Sequence, residues 1–411
     1  MTKIRVLLFS NLYAPEPTGV GPYSHGLAKA LVERGHEVTT IAAVPSYPYW
    51  KRFAGYSKWG WSRSIEDGVT VYRCPVYVPG TVSGAKRILH YVSFVASALF
   101  PALWLALRFR PDVVLHVVPT LLAAPVALAA AKLAGGMSWL HVQDFEVEAG
   151  FATDQMRNSS ALARLALVFE EKCINAFDQT STISPEMCAK LVEKGRAPET
   201  VHEVRNWAEL IEVKPPLRSV FRERWRITTP HVALYSGSIA RKQGIEIIID
   251  VARRFREEPD ITFVICGNGP NRGELEQAAS DLTNVLFHDL QPKEDLPELV
   301  NLASIHLLPQ RRNAADLVLP SKLTNMLASG RPVIAGADPG SGLAREVEGC
   351  GLAVEPENVT ALEGGIRLLM RDQQLHARFS SEARKRAEER WSHEAIISNF
   401  ELEMIAATTR V

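Results

Sequence analysis

The stretch from Ile4 to Ala43, IRVLLFSNLYAPEPTGVGPYSHGLAKALVERGHEVTTIAA, decides the fold. Ile4–Ser10 is a short run of mostly apolar residues, the pattern of a strand covered on both faces. A polar turn containing Gly19 and Gly21 follows. Tyr23–Gly35 then repeats its apolar residues at helical spacing and stops at a glycine. Glu37–Ala43 returns to a strand pattern. Strand, glycine turn, helix and strand make one βαβ unit, and that order calls for parallel pairing with the helix laid on the sheet.

Outward from this unit the alternation continues. Strands are expected at Asp112–Val117, Ser138–Val142 and Gln179–Ser184, with helices at Leu121–Ala134 and Ala161–Phe177. It loosens between Asn206 and Arg226, where Pro215-Pro216 and clustered charges suit a linker. It then restarts with strands at His231–Ser236, Ile261–Cys266, Val285–His288, Ile305–Leu308 and Pro332–Ala335. Helices at Gly244–Glu257, Arg272–Ala279, Leu296–Leu302 and Ser321–Ser329 lie between them. The tail, Ala377–Ala407, reads as helix with a break near Trp391-Ser392. The expected fold class is α/β: two Rossmann-like, doubly wound parallel-sheet domains, at 1–208 and 209–385, with a helix at 386–411 packing back on the first. In such sheets ligands bind outside the carboxyl ends of the strands, so the expected ligand site is a cleft between the two domains.

Composition narrows the classes. The chain has 411 residues, 46% apolar and 22% charged, the balance of a soluble globular protein. Lys plus Arg is 46 and Asp plus Glu is 46, which disfavours a general nucleic-acid binder, since those carry a basic excess. The five cysteines, Cys74, Cys173, Cys188, Cys266 and Cys350, are scattered and contain no CxxC pair. They fit neither a zinc ribbon nor a disulfide framework, and suit a reducing cytoplasm. The first apolar run is too short for a signal peptide.

One segment resists the soluble label. Ile88–Leu107, ILHYVSFVASALFPALWLAL, holds no Asp, Glu, Lys or Arg, and Lys86, Arg87, Arg108 and Arg110 flank it. Three readings stand: a helix docked in the membrane interface, a buried core helix, and a transmembrane span. His90, two serines and Pro101 count against the span.

Four loops at strand ends carry candidate chemistry. Gly19 and Gly21 open the first helix. Gly237 lies in SGSIARKQG (236–244), where Arg241 and Lys242 add two cations to a glycine turn. Pro320 starts a helix whose first residues, Ser321 and Lys322, present amides, a hydroxyl and an ammonium at its positive end, a diphosphate cradle. His141, Asp144, Glu146 and Glu148 follow a strand in the first domain. The GxGxxG dinucleotide fingerprint is absent at these turns.

Together, PSKLTNMLASGRPVIA (320–335), SGSIARKQG, NLYAPEPTGVGPYSHGLAKALVERGHEV (11–38) and WLHVQDFEVEAGF (139–151) resemble family 4 retaining glycosyltransferases of the GT-B fold. VYRCPVYVP (71–79), QTSTISPEM (179–187) and VRNWAEL (204–210) resemble the colanic-acid fucosyltransferase group within them. The resemblance covers about residues 4–395. It implies that the second domain holds a nucleotide-sugar donor. Arg241 and Lys242 would neutralise the diphosphate, and the amides around Ser321, Lys322 and Leu323 would bind the distal phosphate. Gly267, Asn268 and Gly269 would lie near the ribose, and the strand end at Asp289-Leu290 near the base. Gly19 and Gly21 would pack under the phosphates, with His141 and Asp144 near sugar and acceptor.

The chain departs from the wider family's pair of glutamates eight positions apart. Leu317 and Asn325 occupy those positions, with Asp316 a stand-in beside the first. Asn325 can hydrogen-bond a ribose hydroxyl but cannot act as a base.

The implied activity is retaining, metal-independent transfer of a hexosyl unit, with no cofactor beyond the nucleotide-sugar co-substrate. The donor would be GDP-fucose, or alternatively a UDP-linked deoxyamino sugar such as UDP-N-acetylfucosamine. The acceptor would be a polyprenyl-diphosphate-linked saccharide at the inner face of the cytoplasmic membrane, in bacterial exopolysaccharide or capsule assembly. A nucleotide-sugar epimerase and a non-catalytic nucleotide-sugar-binding partner are the alternative classes.

Overall fold

A computed structural model describes the chain except residues 1–2, 18, 58, 82, 146–159, 208–212, 214–218, 240–242, 313–318 and 410–411; of 160–163, 293 and 321 it describes only the backbone. The chain divides into two units, Met1–Arg205 with Ile397–Val411, and Asn206–Ile396. The first boundary falls three residues before the expected 208. The return to the first unit begins at Ile397, not at 386, inside the helix His393–Thr409.

In the first unit the strands are β1 (Arg5–Ser10), β2 (Glu37–Ala43), β3 (Ser62–Glu66), β4 (Val69–Cys74), β5 (Val113–Val118), β6 (Met137–Val142), β7 (Gln179–Thr182) and β8 (Val201–Glu203). They form one sheet in the order β3-β4-β2-β1-β5-β6-β7-β8, parallel throughout except the β3–β4 hairpin. That hairpin is not visible in hydrophobic pattern, because β3 is polar and exposed at the sheet edge. Its turn is Asp67-Gly68, both at positive φ, a strong short-range hairpin signal. β1, β5 and β6 are almost wholly buried, which is why they read as continuous apolar runs. Helix α1 (Gly21–Glu33) follows β1.

Helix α2 (Gly84–Arg108) contains the apolar segment. It is long and apolar enough to cross a membrane by length and composition. One face, with Phe94, Ala98, Ala102 and Leu105, is buried in the core with Phe9 and with Ala127 of helix α3 (Ala124–Ala134). His90 lies on that face too, its Nδ1 2.6 Å from the Tyr77 carbonyl oxygen and its pKa lowered by burial. The other face, with Ile88, Leu89, Val92, Leu99, Phe100, Trp104 and Leu107, is exposed. Trp61 joins it: its indole N–H donates to the Ser97 carbonyl at 2.8 Å, and its ring lies 6.0 Å from that of Phe100.

The second unit holds β9 (His231–Ser236), β10 (Ile261–Cys266), β11 (Val285–His288), β12 (Ile305–Leu308), β13 (Val333–Gly336) and β14 (Gly351–Val354). Its sheet is fully parallel, in the order β11-β10-β9-β12-β13-β14. One face is covered by an isoleucine-rich core with Ile247, Ile248 and Val251, and the other by Phe221, Leu299 and Leu302. The tail forms helices Gln373–Arg390 and His393–Thr409, broken at Trp391-Ser392. In the first unit Glu401 of the last helix meets Arg34 at 2.7 Å and His36 at 2.9 Å, and Phe400 packs edge-on to Trp139. The five cysteines are free, and all but Cys188 are buried.

Candidate active site

The order reversal in the second sheet comes at β9, whose neighbours β10 and β12 lead off in opposite directions. A ligand site is expected outside its carboxyl end. A cavity of about 180 Å³ lies there, lined among others by Ser236, Gly237, Leu290, Gln291, Lys322 and Asn325. Lys322 and Asn325 share a face of the Ser321–Ala328 helix, being three residues apart. Pro320 precedes that helix as its N-cap, in extended conformation, rather than standing within its first turn.

Gly237, Lys322, Leu290 and Asn325 therefore meet around one cavity, and the geometry explains the glycine. Gly237 has φ +135°, and a Cβ there would sit 2.3 Å from Lys322 Cε. The bare backbone makes room for the lysine side chain. Tyr235, fully buried in β9, holds the ammonium from the other side: its hydroxyl contacts Lys322 Nζ, which lies 4.4 Å from the ring centroid. That hydroxyl also donates to the Ser238 carbonyl at 2.6 Å, and burial raises the phenol's pKa. A cation fixed at a helix N-terminus suits an anion such as a diphosphate.

Three expected donor contacts take other roles. Leu323 is fully buried in the core, and its N–H donates to the Pro320 carbonyl at 2.9 Å, so it is not a spare phosphate donor. Gly267 and Gly269 are absent from the cavity lining and are required by backbone packing. A Cβ at Gly267 would lie 1.8 Å from the Gly237 carbonyl oxygen, and one at Gly269 2.1 Å from that of Ile239. These approaches continue the β9–β10 pairing past the strands: Gly237 N–H donates to Cys266 O at 2.8 Å and Ile239 N–H to Asn268 O at 2.9 Å. The Asn268 side chain accepts from Arg272 at 2.6 Å, and Arg272 also pairs with Asp289. Arg241, Lys242 and Asp316 lie outside the described residues, as do Glu146 and Glu148.

In the first unit Gly19 has φ +71°, the left-handed region, and a Cβ there would touch the Tyr47 ring at 3.3 Å. Gly21 begins α1 against Glu16. Buried Glu16 builds this turn. Its carboxylate accepts from the Ser46 and Tyr47 backbone N–H groups at 2.8 Å and from Tyr13 N–H at 3.2 Å. Burial still raises its pKa, more than those hydrogen bonds lower it. In the sequence Glu16, Tyr235 and Arg272 read only as ordinary loop, strand and helix residues.

His141, at the end of β6, is buried. Its Nδ1 is 2.9 Å from Ser181 Oγ and its Nε2 2.9 Å from the Gln143 side-chain nitrogen. Burial lowers its pKa to about 4, so it is neutral at pH 7 and cannot serve as a cation there. Asp144, two residues past the strand, is exposed.

Two parallel sheets, with a cation-bearing helix start at the switch point of the second, define a doubly wound α/β protein built for an anionic ligand. Residues 18–207 match the glycosyl transferase 4-like domain, and residues 218–386 match glycosyl transferases group 1. A relative from Escherichia coli K12, "Putative colanic acid biosynthesis glycosyl transferase WcaI", is 39% identical over 97% of this chain and 98% of its own. Among solved structures, sucrose-phosphate synthase from Thermosynechococcus elongatus superposes with TM-score 0.73 at 17% identity, covering 100% of both chains. Anabaena Alr3699/HepE, solved in complex with UDP and glucose, does so with TM-score 0.65 at 17% identity, covering 98% of this chain and 100% of that one. The chain belongs to the family 4 glycosyltransferases of the GT-B fold.

Proposed function

We propose that this glycosyltransferase transfers a hexosyl unit, with retention, from a nucleoside diphosphate sugar to a polyprenyl-diphosphate-linked saccharide at the inner face of the cytoplasmic membrane. The product would enter exopolysaccharide assembly. The observation that carries the donor site is the Lys322 ammonium, seated on Tyr235 over Gly237 beside the cavity. GDP-fucose is the donor that the resemblance of the motifs favours. The 39% relative's printed link to colanic acid supports the pathway class.

In the reaction the bond from the anomeric carbon to the diphosphate oxygen breaks and a bond to the acceptor hydroxyl oxygen forms on the same face. The acceptor proton passes to the departing phosphate oxygen. Lys322, the helix start and the Arg241-Lys242 pair stabilise charge on the leaving group as it develops. These cations do the work a divalent metal does elsewhere, so the proposal needs none. Asn325 holds a donor hydroxyl, and Asp316 stands in for the first glutamate of the wider family. His141 and Asp144 are assigned to the sugar and acceptor.

Helix α2 supports the membrane reading. Its inner face is committed to the core, which disfavours spanning, while its outer face is apolar with basic residues at both ends. This is the pattern of an interfacial helix on an anionic surface.

The test is turnover. The protein is incubated with GDP-fucose or UDP-N-acetylfucosamine and a lipid extract containing polyprenyl-diphosphate saccharides, and nucleotide release and lipid product are followed by mass spectrometry. Lipid product from GDP-fucose supports the reading. Product from the UDP sugar moves the donor; nucleotide release without lipid product overturns the acceptor.

A further inference from the structure

His90, Ser93, Ser97 and Pro101 interrupt the apolar segment of α2, and each raises the cost of contact with hydrocarbon. The structure answers them one by one. His90 Nδ1 donates to the Tyr77 carbonyl at 2.6 Å. The Ser93 hydroxyl donates to the His90 carbonyl at 2.7 Å, and the Ser97 hydroxyl to the Phe94 carbonyl at 3.1 Å, each three residues back along the helix. Pro101 leaves a different gap. A proline inside a helix has no N–H for the carbonyl four residues back, here that of Ser97. Trp61 supplies a donor from outside the helix: its indole N–H meets that carbonyl oxygen at 2.8 Å.

Trp61 leads directly into β3. The β3–β4 register sets Arg63 opposite Tyr72 and Ile65 opposite Thr70, so these side chains share one face of the hairpin. On that face the Tyr72 ring lies 6.1 Å from the ring of Trp104 in α2, and the Arg63 guanidinium 6.0 Å from the Tyr72 ring centroid. Trp61 and Ile65 are exposed, as are Phe100 and Trp104, so the apolar face of α2 continues onto the hairpin. Its rim is positive: Arg63, Arg87, Arg108 and Arg110 are exposed. The acidic side chains of the hairpin, Glu66 and Asp67, are paired with Arg73 and His25. That charge pattern fits an anionic bilayer.

In water an open helix carbonyl is hydrated at little cost. Among acyl chains no water is present, and an unsatisfied backbone group costs far more. We infer that Trp61 seals α2 for lipid: its N–H replaces the donor that Pro101 lacks, and α2 and the β3–β4 hairpin enter an anionic bilayer as one surface. The inference rests on the proposed docking of α2 at the membrane, and adds to it a second element and the residue that joins the two.

The test is partitioning of the whole protein onto phosphatidylethanolamine–phosphatidylglycerol vesicles, with thermal unfolding to confirm the fold. Trp61→Phe keeps an aromatic ring and loses the N–H, and should weaken partitioning about tenfold, the scale of one hydrogen bond. Pro101→Ala restores an N–H to the helix, so in that background Trp61→Phe should cost less than about threefold. An equal loss in both backgrounds, or none in either, overturns the sealing role. A second measurement does not depend on the proline variant. Acyl chains brominated near the headgroup should quench the emission that Trp61 contributes, taken as the difference between native protein and Trp61→Phe. Unquenched Trp61 in vesicle-bound protein overturns the inference while membrane docking of α2 stands. Equal binding to phosphatidylcholine vesicles overturns the anionic surface as the occupant. Dimerisation with Trp61 emission unmoved by vesicles assigns the face to a second copy and overturns the inference too. If the native protein binds no vesicles, the docking of α2 falls and takes this inference with it.

Discussion

Replacing the outward face of α2 should detach the protein from membranes without unfolding it. Ile88, Phe100 and Leu107 are 56%, 66% and 57% exposed, so each keeps more than half of its surface available for burial in lipid. Full burial of such a side chain contributes about 1.5–3 kcal/mol, so the exposed part of each offers roughly 1–2 kcal/mol. The triple change to serine should then weaken partitioning by roughly 3–5 kcal/mol, about a hundred- to several-thousandfold. Stability should change little, since the sites are exposed and only Leu107→Ser loses helix propensity, about 0.3 kcal/mol. The assay is co-sedimentation with vesicles of phosphatidylethanolamine and phosphatidylglycerol at low and high salt, with thermal unfolding alongside. Phe94→Ser on the inner face is the contrast: it should unfold the domain by about 3–5 kcal/mol, as fully buried phenylalanines do when truncated. Undiminished vesicle binding by a folded triple variant would refute the reasoning, because no other long apolar helix is present among the described residues.

Three further outcomes follow from the geometry. Tyr235→Phe removes the hydroxyl that seats Lys322, and should weaken nucleoside diphosphate binding about tenfold by calorimetry, the scale of one hydrogen bond to a charged group. Gly267→Ala drives a Cβ into the Gly237 carbonyl and should lower the melting temperature sharply. Gly273→Ala, in a helix with nothing within 4 Å, should leave it unchanged or slightly raised. Burial alone would raise the Glu401 pKa, but the His36 and Arg34 side chains outweigh it and hold the carboxyl below its ordinary value of 4.5. A depressed carboxylate stabilises the fold above its unfolded pKa and loses that contribution as pH falls through the folded one. Glu401→Gln should therefore cost stability at pH 7 and make little difference near pH 3, read by denaturant titration at both.

Both parallel sheets were legible because β1, β5, β9 and β10 are buried on both faces and so read as unbroken apolar runs. The helix–strand alternation between them leaves no other pairing. The β3–β4 hairpin escaped because an exposed edge strand needs no apolar face. At the β9 cavity, Lys322 could be found from a helix start, since capping chemistry is local, and Asn325 only from the family resemblance, as the residue in place of a glutamate. Tyr235 could not, because a tyrosine inside a strand looks like core until a lysine 87 residues away in the chain is seen on its hydroxyl. Gly267 and Gly269 looked like ligand-binding glycines for a related reason. A glycine required by a neighbouring carbonyl and one required by a phosphate leave the same letter in the sequence, and only the 1.8 Å and 2.1 Å approaches tell them apart. Ser181 lies in a stretch that carries the resemblance, but its contact with His141 comes only from the register that sets the two opposite each other.

The central claim is that the cavity at the β9 end receives a nucleoside diphosphate on Lys322. Isothermal titration of GDP and UDP into the native protein and into Lys322→Met tests it most directly. Binding of one nucleotide to the native protein, weakened at least about tenfold in a folded Lys322→Met variant, is the predicted result. Equal affinity in both proteins, or binding of neither nucleotide, would contradict it.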